Sequence, residues 1–299
     1  QQFENANPEL VLEMERWLQG RPVRSQSWAD EMMRMVRNYP GRIPLRDVRG
    51  AVHNLMLMLG TNPGGTDFDL LNYVVQTGRN RHYHKWYECF DWPQDPSQVT
   101  QEVAQLEPEA RRLLTQIDPA LMGELMYALF PHVARTLEGL GQGRVTYMPP
   151  DGTRPLLVQA ADALIRLLGI RRSYRFAEYF NEGLSKTIPA YAHPFLTSIG
   201  IPPITLEQHL SSPDVDVAVG GLYGMGIDPY KLHLLPQFSA EQAVAGWRCP
   251  TCNGFYLHEA GGWCPDCGNE RLIQSARQQT FDYYLYLSEK SGGEFRLHS

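Results

Sequence analysis

The feature that most constrains this chain is a 19-residue window holding four of its five cysteines: Cys249-Pro-Thr-Cys252, eleven residues, then Cys264-Pro-Asp-Cys267-Gly. Two residues between thiolates let one tight turn aim both sulfurs at the same point. Two such turns, joined by a short hairpin, close a tetrahedral sulfur cage for Zn²⁺. Pro250 serves the first knuckle, and Pro265 and Gly268 serve the second. The spacer from Asn253 to Trp263 suits a β-hairpin that returns near Gly261-Gly262. Two disulfides or a redox pair are the rival readings. Only Cys89 lies outside the window, the start of the chain carries no secretory signal, and a redox CxxC usually stands alone on a βαβ unit. The spacing therefore predicts one Zn²⁺ held by Cys249, Cys252, Cys264 and Cys267. Four thiolates fill the coordination sphere, so the metal is expected to support structure and not catalysis.

The rest of the chain reads as helical. Apolar residues recur at helical spacing over 8–18, 27–39, 47–59 and from Asp67 through Val74-Val75. Further helices are expected over 98–117 and 119–140, with Asp118-Pro119 as cap and first-turn pair and Pro131 as a kink. Residues 155–168, 171–184, 204–211 and 239–245 complete the set, and a last strand is expected at 281–287. Residues 78–97 read as irregular and aromatic. The expected fold class is mainly α, a multi-helix domain followed by a small β zinc ribbon. The expected division is a helical subdomain over 1–150, a second mostly helical one over 151–245 that ends in a Pro/Gly-rich stretch, and the ribbon over 246–299.

Composition narrows the function classes. The net charge is −6, so nucleic-acid contact requires a local basic patch. Of 27 cationic residues 23 are Arg, which pairs with phosphate bidentately and stacks on bases; biased genomic base composition raises Arg equally well. No apolar run approaches the roughly 20 residues that span a bilayer. Free cysteines at metal spacing point to a reducing, cytoplasmic compartment. The chain starts without Met and stops just after a strand-like run, which suggests a piece of a longer polypeptide.

Two segments carry candidate nucleic-acid residues. In Arg79-Asn-Arg81-His-Tyr-His-Lys85-Trp86-Tyr87, cations alternate with aromatics, as a single-strand platform requires; Arg79, Arg81, Lys85 and Trp86 are the candidates. The bland alternative is a surface loop pinned by its aromatics. A metal site of His82, His84 and Cys89 fits no standard spacing. Farther on, Arg166, Arg171, Arg172 and Arg175 cluster without an acid, and a helix from 171 places Arg171, Arg172 and Arg175 on one cationic side, for phosphate or simply for solvent. A third group, Arg34, Arg37, Arg42, Arg46 and Arg49, spreads over two helices and their turn. The loop Gly60-Thr-Asn-Pro-Gly-Gly-Thr66 is glycine-rich but lacks the Gly-Lys-Ser/Thr of a P-loop, and no hydrolase, metalloprotease or deaminase pattern occurs.

The stretch Trp247-Arg-Cys249-Pro-Thr-Cys252, Trp263-Cys264-Pro-Asp-Cys267, Tyr283-Tyr284-Leu-Tyr286-Leu and Phe295-Arg-Leu-His298 resembles the zinc-bearing insert of large DEAD/DEAH-box superfamily 2 helicases of bacterial anti-phage systems such as DISARM. The resemblance covers the ribbon region only. It implies an accessory, nucleic-acid-engaging part of a helicase-like defence protein, adjoining a motor lobe whose motifs this chain does not contain. DNA, or the remainder of a longer chain, would be the partner. The alternative is a scaffold that docks a partner protein through the helical part and the ribbon.

Overall fold

The computed structural model describes residues 41–93, 100–131, 136–237 and 245–276. The helices expected at 8–18 and 27–39, nearly all of the one at 239–245, the strand at 281–287 and the tyrosine and histidine end of the helicase-like stretch lie outside the described residues, as do Arg34 and Arg37.

The fold is built around one helix. Residues 155–170, here α4, begin with Pro155 at the first helical position, where a missing N–H costs nothing. Every residue from Ala160 to Gly169 of α4 is buried, so it is apolar on nearly all sides and sits inside the core, not on its surface. Gly169 is required there, because a Cβ would stand 2.6 Å from the Phe130 ring. Helices α1 (Leu45–Met58), α3 (Pro108–Leu129), α5 (His193–Ile199) and α6 (Pro203–Ser211) surround it, with α2 (Phe68–Leu71) at the periphery. A three-stranded antiparallel sheet of β1 (Ile43–Pro44), β10 (His233–Pro236) and β6 (Gly143–Thr146) packs beside α4, with Leu234 paired to both Ile43 and Val145. The one acid of α4, Asp162, is buried and satisfied: Thr146 Oγ1 donates to it at 2.6 Å, and the Arg144 guanidinium pairs with it. The main core runs without a break from Leu45 through α3 and α4 to Cys249, Tyr256 and Leu272. A second, smaller core joins Leu57 of α1 and Leu113 and Ile117 of α3 to Trp86 and Phe90.

The mainly-α expectation is overturned. The described residues hold five small sheets beside six α-helices, an α and β mixture. Three segments account for the difference. Only Phe68–Leu71 is helical after Asp67; residues 72–77 form β2, which pairs in full register with β3 (Asn80–Lys85), from Asn72↔Lys85 to Thr77↔Asn80. Gly78, at φ 63°, supplies the first position of the two-residue turn, a conformation that glycine alone adopts without strain. Trp86–Cys89 form a single 3-10 turn, and β4 (Phe90–Asp91), in the stretch expected to be irregular, pairs with β5 (Gln101–Glu102), where the start of a helix was expected. Next, α3 is one 22-residue helix that contains Pro119 instead of two helices broken at it; Asp118 is an interior residue and not a cap. Pro131 lies beyond its end. Finally, 171–184 is not a helix. Arg172 and Phe176 take left-handed backbone at φ 56° and 75°, while Ser173–Arg175 bond to Ile227 as a strand would. This places the Tyr174 ring in the core. Strand β7 (Glu182–Ser185) then bridges to Gly221, and β8 (Ala218–Val219) pairs with β9 (Gly226–Ile227).

Candidate functional site

The ribbon is a three-stranded antiparallel sheet in the order β12 (Phe255–Tyr256), β11 (Ala245–Arg248), β13 (Ile273–Ala276). The hairpin in it runs through the first knuckle, between β11 and β12. Gly261-Gly262 falls instead in a 3-10 turn, Ala260–Gly262, that leads to the second knuckle. The knuckles are copies of one another. Cys252 N–H points to Cys249 Sγ at 3.5 Å, and Cys267 N–H to Cys264 Sγ at 3.4 Å. Asn253 N–H donates to Cys249 O and Gly268 N–H to Cys264 O, and both residues carry positive φ, 59° and 80°. Asn253 is the turn residue of the first knuckle that the cysteine spacing alone did not single out; Asn is the commonest non-glycine residue in that conformation.

The four Sγ atoms all lie within 4.8 Å of one another, and the four cysteines can hold a metal ion. Cys249 and Cys267 stand 3.8 Å apart and Cys252 and Cys264 3.6 Å apart. A sulfur tetrahedron around an ion at about 2.3 Å has edges of about 3.8 Å, whereas a disulfide requires about 2.05 Å. The geometry therefore fits a four-sulfur metal cage and not bridged cysteines. Burial pushes the Cys264 thiol up to about 11. Burial also acts against the Cys249 thiolate, but hydrogen bonds from the Cys252 and Thr251 backbone outweigh it and hold that thiol below its ordinary value. A cation among the four sulfurs is what would hold them all as thiolates.

Around the sulfurs lies a buried polar network that the sequence did not reveal. Tyr256 Oη lies 3.2 Å from Cys264 Sγ and donates to Asp266 at 2.7 Å. The Arg166 guanidinium of α4 covers the Tyr256 ring at 4.5 Å. It pairs with Glu138 at 2.9 Å and with Asp266 at 3.6 Å, and Arg166 is only 7% exposed. Glu138 also accepts the Leu257 N–H at 2.9 Å and faces His258 at 3.7 Å. Burial alone would raise the Glu138 carboxyl; Arg166 and then His258 outweigh it and hold it below the ordinary value. Burial lowers the His258 imidazole below 6.5 despite Glu138. Arg166, grouped with the basic cluster by sequence, is thus an internal strut between body and ribbon. Two further contacts fasten the second knuckle: Ser198 Oγ donates to Gly268 O at 2.6 Å, and Gly261 N–H donates to Gln159 at 2.8 Å.

The structure sorts the nucleic-acid candidates. On the β2–β3 hairpin, Arg81, Tyr83 and Lys85 share a face with Gln76, Val74 and Asn72, their cross-strand partners. The opposite face carries Tyr73 stacked on His84 at 5.1 Å, and Tyr73 packs on the small core. Arg81 and Lys85 are exposed, Tyr83 is 67% exposed, and Arg79 sits exposed at the turn. Trp86 has no free face. It is 8% exposed, edge-on to Tyr87, Phe90 and Trp92, so its ring has no open side to offer a base; the exposed ring on the hairpin's outer face is that of Tyr83. The arginine helix does not form. Arg171 covers the Tyr191 ring at 5.2 Å, Arg172 covers Tyr127 at 4.6 Å, and Arg175 is neutralised by Glu182 at 2.8 Å and Asp228 at 3.0 Å. In the third group Arg42 donates to Tyr147 O, and Arg49 pairs with Asp118. Cys89 is buried, its thiol pushed by burial up to about 11, and His84 pairs with Glu88. Among the described residues no metal-ligating cluster other than the four cysteines occurs, and no helix is long and apolar enough to cross a membrane.

No protein-family profile, curated protein or solved structure matches this chain.

Proposed function

We propose that the four cysteines hold one structural Zn²⁺ and that the chain is an accessory nucleic-acid-engaging region, gripping a single strand on the outer face of the β2–β3 hairpin. All-sulfur tetrahedral ligation without an open position is the donor set of structural zinc. For the strand, one observation carries the reading: Arg81, Tyr83 and Lys85 alternate cation, aromatic and cation on one exposed face of a rigid hairpin. An aromatic face takes any base, and flanking cations take phosphates. The ribbon's likeness to the zinc insert of helicases favours a larger helicase-like, anti-phage setting, in which the motor would lie elsewhere.

Binding of a fluorescent single-stranded oligonucleotide, measured against salt, tests the reading. Tyr83→Ala is expected to weaken binding by about 1–3 kcal/mol. Arg81→Ala is expected to flatten the slope of log K against log salt by about 0.7. Unchanged affinity in the Arg81, Tyr83, Lys85 triple alanine variant defeats the proposal. A second reading, a protein-docking scaffold, is favoured by the exposed Tyr179, Leu184, Leu222 and Tyr223, which gather where β7 bridges to Gly221. It becomes the better one if the parent binds no oligonucleotide at low salt.

A further inference from the structure

A cleft of about 410 Å³ opens between α1, α3 and the β4–β5 ladder. That volume lies within the roughly 300–1,000 Å³ of small-molecule sites. Its floor is apolar, formed by Leu57, Phe90, Leu114 and Ile117, and its polar wall includes Arg49, His53 and Glu102. The sequence reading assigned it no role.

Three features mark it as built for an occupant. Arg49 has one arm committed: its Nη1 donates to Asp118, whose other oxygen accepts from Tyr230. Its Nε–H is buried and has no partner, an arrangement that proteins seldom leave standing. Glu102 makes no ion pair and no side-chain hydrogen bond among the described residues, although it lines the same space. Gly50 occupies the interior of α1, where glycine weakens a helix, yet a Cβ there would meet nothing within 4 Å. Among the described residues no atom requires a glycine at 50; its effect is to leave the cleft wall empty. His53 adds a neutral ring, since burial lowers its pKa below 6.5.

We propose that this cleft binds a guanine base. A flat heterocycle suits a floor of Phe90 and aliphatic side chains. Guanine presents O6 and N7 as acceptors for an arginine N–H and, on its pairing edge, two donors, N1–H and the 2-amino group, that a carboxylate such as Glu102 accepts together. Adenine keeps N7 but offers a donor where guanine offers O6, and it has neither the N1–H nor the 2-amino group, so it leaves Glu102 without donors and the arginine with one acceptor in place of two. The inference rests on and deepens the nucleic-acid reading: the hairpin strand that carries Arg81, Tyr83 and Lys85 and the cleft residue Phe90 belong to elements joined by the single 3-10 turn Trp86–Cys89.

Calorimetric titration of the full chain with guanosine, adenosine and cytidine monophosphates tests the cleft without any strand. Guanosine monophosphate is expected to bind at least about ten-fold more tightly than the other two, because a site built of hydrogen-bonding groups rejects a ligand that leaves them unpaired. Glu102→Gln, at an exposed position, is expected to erase that preference, and Gly50→Trp, which fills open space, to abolish binding with the melting temperature unchanged. Absence of heat with guanosine monophosphate at millimolar concentration overturns the proposal, as does equal affinity for the adenine nucleotide or parental binding by Gly50→Trp. Oligonucleotides separate the two ideas. If a strand binds through the hairpin with no guanine preference and no effect of Gly50→Trp, the cleft proposal falls and the hairpin reading stands. If guanosine monophosphate binds as described and no strand binds at low salt, the cleft proposal stands as a mononucleotide site and the hairpin reading falls.

Discussion

The ribbon and the β2–β3 hairpin are both small antiparallel units laid against helices, but different physics holds each of them. The ribbon buries few apolar side chains of its own, chiefly Phe255, Tyr256 and Leu272. The proposed sulfur ligation of a metal and a buried charge network, Glu138, Arg166 and Asp266, supply the rest. The hairpin leads into Trp86 and Phe90, which lock into α1 and α3 by apolar packing. A unit held by coordination and charge has stability conditional on metal and on pH. A unit held by buried aromatics has unconditional stability, and its outer face is then free to be polar and aromatic.

The sharpest way to break the comparison is to take the metal away. One Zn²⁺ per chain is expected by metal analysis, and a strong chelator or Cys264→Ala should remove a contribution on the order of 10 kcal/mol to folding of the ribbon. Hydrogen exchange of residues 246–275 should then rise to near-free rates while the hairpin and α3 stay protected. Freshly purified protein without zinc rules the metal assignment out.

The charge network comes next. Glu138→Ala leaves the Arg166 cation buried without its main partner and should cost roughly 3–5 kcal/mol. Replacing both, with Glu138→Leu and Arg166→Met, should recover most of that loss, because two well-packed apolar groups replace two paired charges. Equal losses in the single and double variants would mean that packing, not pairing, matters there. On the hairpin side, Trp86→Ala should cost about 3 kcal/mol by opening the small core. Tyr83→Ala, on the outer face, should change stability by no more than about 0.5 kcal/mol. Urea melts of the two variants decide whether the faces divide structure from function as described.

The smallest effect is on pH dependence. The folded state holds His258 below its unfolded 6.5 and Glu138 below its unfolded 4.5. In both cases the unfolded chain binds the proton first. The stability they contribute is complete above about pH 6.5 and falls as acid is added, His258 acting first and Glu138 below 4.5. His258→Asn should make the loss between pH 6.5 and 5 shallower than in the parent, by at most one proton.

What the sequence revealed follows from how local each signal is. The knuckles, α1, α4 and α6 were legible because two-residue cysteine spacing, apolar repeats at 3.6 and first-turn prolines act over a few residues. The segment 171–184 was not, because its apolar residues repeat like a helix while Ser173–Arg175 are claimed by Ile227, more than fifty positions away. Local pattern cannot report that competition. Pro119 misled for the opposite reason: tertiary packing carries α3 straight through a residue that locally favours a break. The hairpin was missed although Gly78 between two β-branched or aromatic runs is a turn signal. The four cysteines that the fold gathers were fully legible, but the groups around them, Glu138 and Arg166, were not, since nothing in sequence brings 138 and 166 to 256. The cleft was invisible for the same reason: Arg49 and Glu102 come to line one space only when α1 meets the β4–β5 ladder.

The register of the ribbon has a mechanical consequence. Ala245 pairs with Ala276, so the chain arrives at and leaves the ribbon on adjacent strands at the same end. A load that pulls these two points apart acts across the β11–β13 ladder and not along it, breaking its hydrogen bonds one pair at a time from the mouth inward. Unzipping would stop at Arg248↔Ile273, next to the sulfurs, where the strands give way to the knuckles. Tension would thus open the outer half of the ribbon at low force and leave the half beside the cysteines intact, ready to close again.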